Sequence, residues 1–124
     1  MNLFDSNILI YDEQPENNFL LKLMFKDVKT SFIFSISVVE TLGFVGISLK
    51  EKRFFELCFS KLNIIDISTE IIYKAVELKQ IKKMCVADSI VAATSINNKC
   101  VLYSRNTKDF AHIKKLNIIN PFLK

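Results

Sequence analysis

Four carboxylates stand at positions from which a single fold could bring them together for chemistry. They are Asp5, Glu40, Asp88 and Asp109. Asp5 interrupts the first apolar segment, NLFDSNILIY, where a buried carboxylate needs water, a hydrogen-bonding role or a cation. Two carboxylates about 4 Å apart repel by roughly 4 kcal/mol at an effective dielectric constant of about 20, so four in one place require protons or cations.

The donor atoms of these side chains indicate which cation would suit them. Carboxylate oxygens without neighbouring histidine or cysteine favour Mg²⁺ or Mn²⁺ over zinc. One or two such ions can activate water, hold a phosphate oxygen and stabilise a leaving oxygen, which is the chemistry of phosphodiester hydrolysis. His112, the only histidine, is interpreted as an exposed or capping residue, so the role of base would fall to a carboxylate or to metal-activated water.

Strands and helices must position these acids, and their signals alternate along the chain. The expected strands are about 3–5, 31–37, 62–68, 100–104 and 117–120, and the expected helices are about 6–11, 15–28, 38–44, 49–61, 69–83 and 87–96. Pro15 is expected to start the second helix, Gly46 to mark a break, and Ser68 or Thr69 to cap an amphipathic helix along which Ile72, Ala75, Val76, Lys79 and Ile81 lie. The helix ADSIVAATSI is mostly apolar and is expected to be buried. This alternation predicts an α/β fold with a mainly parallel sheet of four to five strands.

A parallel sheet would gather the four acids, because sites in such folds form beyond the carboxyl ends of the strands. Asp5 ends the first strand, and Glu40 is expected in the first turn of the helix after the second strand. Asp88 begins a helix that runs antiparallel to the sheet, and Asp109 follows the fourth strand. Each acid also has an ordinary interpretation: Asp5 and Asp88 as helix caps, Glu40 as a complement to a helix dipole and Asp109 as a turn residue.

Composition limits the classes of protein that remain. With 124 residues, half of them apolar, and only two glycines and two prolines, the chain is expected to form one folded domain over 1–124. The net charge of +4 weakly favours a polyanionic partner. Cys58, Cys85 and Cys100 lack paired spacing and are expected to be buried free thiols. No signal peptide or membrane span is expected, and the predicted location is the cytoplasm.

Several motifs together carry a resemblance to a known family. They are FDSNILIY, SVVETL, ADSIVAATSI, and VLYSRNTKDF followed by IINP, and they span essentially the whole chain. On these motifs the chain resembles the PIN domain, and within it the small VapC-type toxin ribonucleases of toxin–antitoxin pairs. The resemblance implies a three-layer α/β/α sandwich and a metal-dependent endoribonuclease. It also implies that Asp5, Glu40, Asp88 and Asp109 are the catalytic, metal-binding residues.

The resemblance assigns supporting positions as well. Ser6 and Ser104 stand where the family commonly has threonine and keep the hydroxyl group. Asn7 and Asn106 fit positions that orient ligands or the scissile phosphate, and Arg105 is the best candidate for an RNA phosphate contact.

Partners follow partly from the resemblance and partly from the residues. The resemblance implies an RNA substrate, a small antitoxin protein and a homodimer. The aromatic residues between Phe44 and Phe59 could form an apolar groove for an antitoxin helix. Lys79, Lys82 and Lys83 either serve a helix dipole and solubility or form a phosphate-steering rim with Arg105. Two rival functions stay open, an RNA-processing PIN nuclease that is not a toxin and a non-catalytic PIN-fold binding module.

Overall fold

Five short parallel strands form the single sheet found in the part of the chain that the structure, a computed structural model, describes, residues 1–12 and 18–122. The strands are β1 (Asn2–Phe4), β2 (Ser31–Phe34), β3 (Asn63–Ile65), β4 (Val101–Tyr103) and β5 (Asn117–Ile119), in the order β3-β2-β1-β4-β5. Leu3 of β1 lies beside Phe32 of β2 and Leu102 of β4. β1 is therefore the central strand, and β2 and β4 flank it.

Seven α-helices surround this sheet within the described residues. They are α1 (Ser6–Asp12), α2 (Asn18–Phe25), α3 (Ser35–Leu42), α4 (Leu49–Lys61), α5 (Thr69–Ile81), α6 (Val86–Asn97) and α7 (Thr107–Phe110), and a 3₁₀ turn covers Val28–Thr30. None of these helices has the length and apolar character that a membrane crossing requires. The start predicted at Pro15 lies outside the described residues.

Alternating side chains of the strands divide the core into two layers. Leu3 and Phe34 pack with buried residues of α5 and α6, whereas Phe4 and Ile33 pack with buried residues of α1, α2 and α4. Successive strand residues point to opposite faces, and the three inner strands β1, β2 and β4 are mostly apolar because both of their faces are covered, whereas the edge strands β3 and β5 are largely exposed. The structure thus confirms the predicted three-layer α/β/α sandwich with a parallel five-stranded sheet.

Local capping chemistry fixes the helices that the sequence placed most accurately. Ser48 caps α4 in a capping box with Glu51, and Ser68 caps α5 by accepting a hydrogen bond from the backbone N–H of Ile71. Gly46 adopts a φ of +82°, which glycine tolerates and which separates α3 from α4. The bounds predicted for α4 are confirmed.

The strand predicted over 31–37 is wrong in its second half, because α3 already begins at Ser35. The alternation SFIFSIS continues past Phe34, but the neighbouring strands do not. β1 pairs with Ser31–Ile33, β3 pairs with Phe32–Phe34, and both partners end there. A longer β2 would leave its backbone groups without partners, so the chain turns into a helix instead.

The buried face of α5 also differs from the residues singled out along it. Ile71, Ala75 and Leu78 are buried, while Ile72 and Val76 are about half exposed, at 49% and 45%. The helical period is as predicted, but the buried stripe is shifted by one residue. One residue corresponds to a rotation of about 100° about the helix axis, so an apolar stripe beside the buried one faces outward.

Candidate active site

Asp5 lies directly after the central strand, at the carboxyl edge of the sheet, and is only 7% exposed. The backbone N–H of Ser6 donates to Oδ1 of Asp5 at 2.8 Å. The Ser104 hydroxyl donates to Oδ2 at 2.9 Å, and the Asn7 side-chain amide lies 3.5 Å from the same oxygen. Asp5 therefore does hold the first residue of α1, as a cap would, but that role occupies only one of its two oxygens.

The electrostatic environment of Asp5 disfavours its negative charge. The pKa of Asp5 is raised to about 6, mainly because burial disfavours the charged form; hydrogen bonds from Ser104 and Ser6 lower it, and the charges of Asp88 and Glu40 add to the rise. Among the described residues, no lysine or arginine side chain contributes to this pKa. A buried carboxylate that is held in place by donors, and lies near two other acids, is typical of a site that binds a cation or does acid–base chemistry.

Glu40 reaches the same edge from α3 through Ser6. The Ser6 hydroxyl lies 2.6 Å from Oε1 of Glu40 and 3.1 Å from the hydroxyl of the buried Ser37. Because α3 starts at Ser35, Glu40 lies in the second helical turn, and the predicted first-turn position is wrong. Ser6 connects the two acids, since its backbone binds Asp5 and its side chain binds Glu40.

Ser37 was missed by the sequence reasoning, which placed it in a strand. It is fully buried and touches the Ser6 hydroxyl that holds Glu40. The spacing of three residues between Ser37 and Glu40 would have put both on one helix face, had the helix been started at Ser35.

The segment after β4 is tied to the segment after β1. Ser104, which is fully buried, donates to Asp5 and accepts hydrogen bonds from the Asn106 backbone N–H at 3.1 Å and the Asn7 amide at 3.3 Å. The backbone N–H of Arg105 donates to the Asn7 side-chain oxygen at 3.3 Å. Asn7 and Ser104 thus lie together beside Asp5, and the backbone of Asn106 is held to them.

The backbone of Arg105 is held to Asn7, whereas its side chain lies over the ring of Phe122. Its guanidinium carbon lies 4.9 Å from the centre of the Phe122 ring, and its carbonyl oxygen accepts a hydrogen bond from Asn120. A phosphate contact by Arg105 stays a prediction.

Asp88 lies in the first turn of α6, but it does not cap that helix. The N-cap is Cys85, whose Sγ accepts a hydrogen bond from the Asp88 backbone N–H at 3.4 Å.

The prediction that all three cysteines are buried is wrong for Cys85. This residue is exposed because it occupies the connection before α6, whereas Cys58 and Cys100 are buried. Partial desolvation and the charges of Asp88 and Glu40 raise the pKa of the Cys85 thiol, against the hydrogen bond from the Asp88 backbone that lowers it.

Asp109 lies on α7 and shares a cleft with Asp88. This cleft, of about 220 Å³, is called the basic cleft below because lysines form much of its lining, and its lining residues are Lys82, Lys83, Met84, Cys85, Asp88, Lys108, Asp109 and His112. His112 lies partly buried in its wall, and Nε2 of this histidine has no hydrogen-bond partner among the described residues.

The four acids have the donor atoms that a hard divalent cation prefers, but their side chains are not spaced as a metal site requires. All four offer carboxylate oxygens, the donors that Mg²⁺ and Mn²⁺ prefer. Pairwise links run from Glu40 to Asp5 through Ser6, from Asp5 to Asp88 electrostatically, and from Asp88 to Asp109 across the basic cleft. Among the described residues, however, no three His, Cys, Asp or Glu side chains are close enough together to form a metal site. That the four acids bind metal together stays a prediction.

Comparison with known proteins places this arrangement in context. A family model described as the PIN domain matches residues 3–116. Among solved structures, a chain of a toxin–antitoxin complex from Klebsiella pneumoniae is 31% identical, with 98% of each chain covered and a TM-score of 0.78. None of the curated proteins matches the chain.

Two further structures share the fold at lower identity. A chain of VapBC2 from Rickettsia felis, bound to a DNA fragment from its promoter, is 22% identical, with 96% of this chain and 97% of that chain covered and a TM-score of 0.80. A chain of FitAcB from Neisseria gonorrhoeae is 18% identical over the whole of both chains, with a TM-score of 0.82.

Proposed function

This chain belongs to the PIN domain family, and we propose from that premise that it is a divalent-metal-dependent endoribonuclease. We propose further that it is a VapC-type toxin of a toxin–antitoxin pair and acts in the cytoplasm. The observation that carries the nuclease proposal is Asp5, a buried carboxylate at the end of the central strand that has hydrogen-bond donors and two neighbouring acids but no lysine or arginine partner among the described residues. The 31% identical chain from a toxin–antitoxin complex supports the toxin proposal.

The side chains around Asp5 hold it ready for a cation. Ser104 and the Ser6 backbone fix the orientation of its two oxygens, and Ser6 holds Glu40 beside it. Asp88 contributes negative charge from the start of α6. A bound Mg²⁺ or Mn²⁺ ion would supply Lewis-acid chemistry to an RNA phosphodiester and would offset the repulsion among these carboxylates. Asp109 would extend the acidic set into the basic cleft.

An antitoxin would be held by the apolar surface on the opposite layer of the sandwich. A second cleft of about 70 Å³, called the apolar cleft below, lies between α1, α3 and α4 and is lined by Ile10, Glu40, Thr41, Phe44, Glu51 and Phe55. Phe44 is 60% exposed, and Val39, Val45 and Leu49 beside it in sequence are exposed as well. We propose that an amphipathic antitoxin helix covers this surface and places a basic group near Glu40 and Glu51.

We also propose a homodimer. Ile72, Tyr73 and Val76 form an exposed apolar stripe on α5 that a second copy would cover. Light scattering should give twice the chain mass of 14.3 kDa at micromolar concentration, and a monomer mass under those conditions would contradict the dimer.

The ribonuclease proposal is tested with total cellular RNA, with and without EDTA, followed by mapping of the cut ends. We expect cleavage that EDTA stops and that Mn²⁺ or Mg²⁺ restores, leaving 5′-phosphate and 3′-hydroxyl ends. Ends with a 2′,3′-cyclic phosphate would mean that the 2′-hydroxyl is the nucleophile, and they would contradict the metal-dependent mechanism. RNA that stays intact under all conditions would leave a non-catalytic module.

Toxicity is tested separately from cleavage. Expression of the chain should arrest growth, and co-expression of the product of the neighbouring upstream gene should relieve the arrest. Cleavage of RNA without growth arrest would favour an RNA-processing nuclease.

A further inference from the structure

Three lysines from two separate segments line the basic cleft beside two of the acids. Lys82 and Lys83 come from the connection between α5 and α6, and Lys108 comes from α7. Asp88 and Asp109 line the same cleft, so cationic and anionic groups lie within one opening of about 220 Å³. We call these three lysines the lysine cluster.

The lysine cluster is not engaged in ion pairs within the described residues. The salt bridges found there join Lys52 to Glu56 and Lys74 to Glu77. Lys82, Lys83 and Lys108 are all exposed, so their ammonium groups are accessible to a ligand. Their three positive charges exceed the two negative charges of Asp88 and Asp109, and a divalent cation on the acids would make the excess larger.

A fourth lysine fixes the segment that carries two members of the cluster. The ammonium group of Lys79 donates to the carbonyl oxygen of Met84 at 2.6 Å. This bond crosses the connection that contains Lys82 and Lys83 and restrains it against α5. The structure therefore assigns Lys79 to holding the segment, and it adds Lys108 to the rim that the sequence suggested.

The other side of the acidic site has the opposite character. The apolar cleft is lined by Ile10, Phe44 and Phe55 together with Glu40 and Glu51, and no lysine or arginine is among its described lining residues. A phosphate group entering that side would meet two carboxylates and apolar surface. Because β2, which leads to Glu40, and β4, which leads to Asp109, lie on opposite sides of β1, the two clefts flank Asp5 rather than overlap.

From this asymmetry we infer that the RNA strand leaves the acidic site on one side only, with phosphates downstream or upstream of the cut bound by Lys82, Lys83 and Lys108. This inference rests on the proposed ribonuclease function and adds the path of the strand. Phosphates attract such cations without regard to base sequence, so the cluster would contribute affinity and direction rather than base choice.

The first test measures binding without cleavage, using a fluorescent 12-nucleotide single-stranded RNA in EDTA. The triple variant Lys82→Gln/Lys83→Gln/Lys108→Gln should bind about tenfold more weakly, and the slope of log K against log salt should be lower by about 2, at roughly 0.7 per lost phosphate contact. The matched control is Lys26→Gln/Lys29→Gln/Lys61→Gln, which removes the same charge from exposed lysines near the amino ends of β2 and β3. The control should keep the wild-type slope.

The second test asks for one-sidedness, using a short RNA with a single mapped cut site and Mn²⁺. Neutral methylphosphonate linkages are placed either on the 5′ side or on the 3′ side of the cut. On one flank only, they should raise the KM of the wild-type protein by about tenfold. The triple variant should be insensitive to that same flank.

The outcomes separate this inference from the function on which it rests. If the wild-type protein neither binds nor cuts RNA, the proposed function fails. If it cuts RNA but the triple variant keeps wild-type affinity and salt slope, the inference is overturned and the function stands. Equal losses in the control triple variant, or equal sensitivity on both flanks, would also overturn it. So would loss of antitoxin binding with RNA binding intact, since the cluster would then serve a protein partner.

Discussion

The basic cleft and the apolar cleft lie on opposite sides of Asp5 and are lined by different acids and different neighbours: Asp88 and Asp109 line the first, and Glu40 and Glu51 line the second. The basic cleft opens between α6 and α7 with three lysines, whereas the apolar cleft opens between α1, α3 and α4 with exposed aromatic and aliphatic groups. Charged rims attract polyanions, and apolar patches of this kind mark protein contacts. Under the proposed function, RNA would therefore bind at the basic cleft, and the antitoxin would cover the apolar cleft on the other layer of the sandwich.

The largest expected effect concerns the acids between the clefts. Asp5→Asn removes a charge that the donors around it are placed to hold, so RNA cleavage should fall by about a thousandfold or more, the scale on which groups that stabilise developing charge contribute. The matched control is Asp66→Asn, because Asp66 also follows a strand directly, β3, but is exposed. Initial rates with Mn²⁺ measure both variants.

Asp66→Asn should keep wild-type activity. If both variants lose activity alike, or if Asp5→Asn keeps it, the acids at the carboxyl end of β1 are not the catalytic site. The two clefts would then not lie on either side of a catalytic centre.

The second prediction separates the clefts from each other. Phe44→Glu places a charge in the apolar cleft at a side chain that is already 60% exposed, so the fold should survive. Antitoxin affinity should fall by about thirtyfold, which corresponds to roughly 2 kcal/mol for a central aromatic anchor. RNA cleavage by the free protein should stay at the wild-type level. Calorimetric titration with the antitoxin and cleavage assays measure the two properties.

Val28→Glu is the control for this variant, because Val28 is partly exposed near the amino end of β2, far from both clefts. It should leave antitoxin binding and cleavage intact. A loss of RNA binding in Phe44→Glu as large as in the lysine triple variant would break the division between the clefts.

The sequence predicted those parts of the fold that local chemistry determines. The cap predicted at Ser68 or Thr69 and the break predicted at Gly46 act on their own neighbours, and both are confirmed. The apolar runs predicted the strands in the right places but too long, since the strand expected over 62–68 covers only Asn63–Ile65. The end of β2 depends instead on how far β1 and β3 extend beside it, and the buried face of α5 depends on its contact with α6. Such tertiary limits leave no trace in a short window of sequence, which is why Ser35–Ser37 were placed in a strand and why Ile71 was not singled out on α5.

The sequence was sufficient to single out Asp5 as a site residue, but it was not sufficient to predict the hydrogen bonds of the site. Asp5 could be recognised because a carboxylate in an apolar segment requires a compensating role. The contact of Ser6 with Glu40 could not, because it joins residues 34 positions apart through a helix whose start was misplaced. The positions of Cys85 and Lys108 in the basic cleft could not be predicted for the same reason. Both residues line this cleft only because the connection between α5 and α6 lies beside α7 in the folded chain.

The third prediction concerns stability in EDTA. The folded-state pKa of Asp5 is raised to about 6 from an ordinary value of 3.8, so the folded protein loses stability as the pH rises from 3.8 to 6, and the loss is complete above pH 6. The shift corresponds to roughly 3 kcal/mol at neutral pH, at about 1.36 kcal/mol per pKa unit, and the penalty disappears below pH 3.8. Asp5→Asn should therefore raise the free energy of unfolding at pH 7.5 by about 1–2 kcal/mol, since one hydrogen bond worth about 1 kcal/mol is lost.

The gain should vanish at pH 4, and Asp66→Asn should show none at either pH. In the wild-type protein, Mn²⁺ at a hundredfold excess over its Kd should add about 2.7 kcal/mol, and the Asp5→Asn and Asp88→Asn variants should gain much less. Denaturant unfolding at the two pH values measures these differences. Equal metal responses in all variants, without stabilisation in EDTA, would mean that the acids are not one site and that Asp5 serves only to hold α1.

The smallest expected effect tests the serine that joins the acids on the side of the apolar cleft. Ser6→Ala removes the hydroxyl that lies 2.6 Å from Glu40 but keeps the backbone N–H that binds Asp5. Loss of this hydrogen bond should lower the free energy of unfolding by about 1 kcal/mol in metal-free protein, and Glu40 should be less well placed to share a cation, so the Kd for Mn²⁺ should rise by several-fold. Ser6→Thr keeps the hydroxyl and should retain both properties, which distinguishes the hydrogen bond from the volume of the side chain. If Ser6→Ala weakens Mn²⁺ binding no more than Ser6→Thr does, Glu40 does not act with Asp5, and it belongs to the antitoxin surface alone.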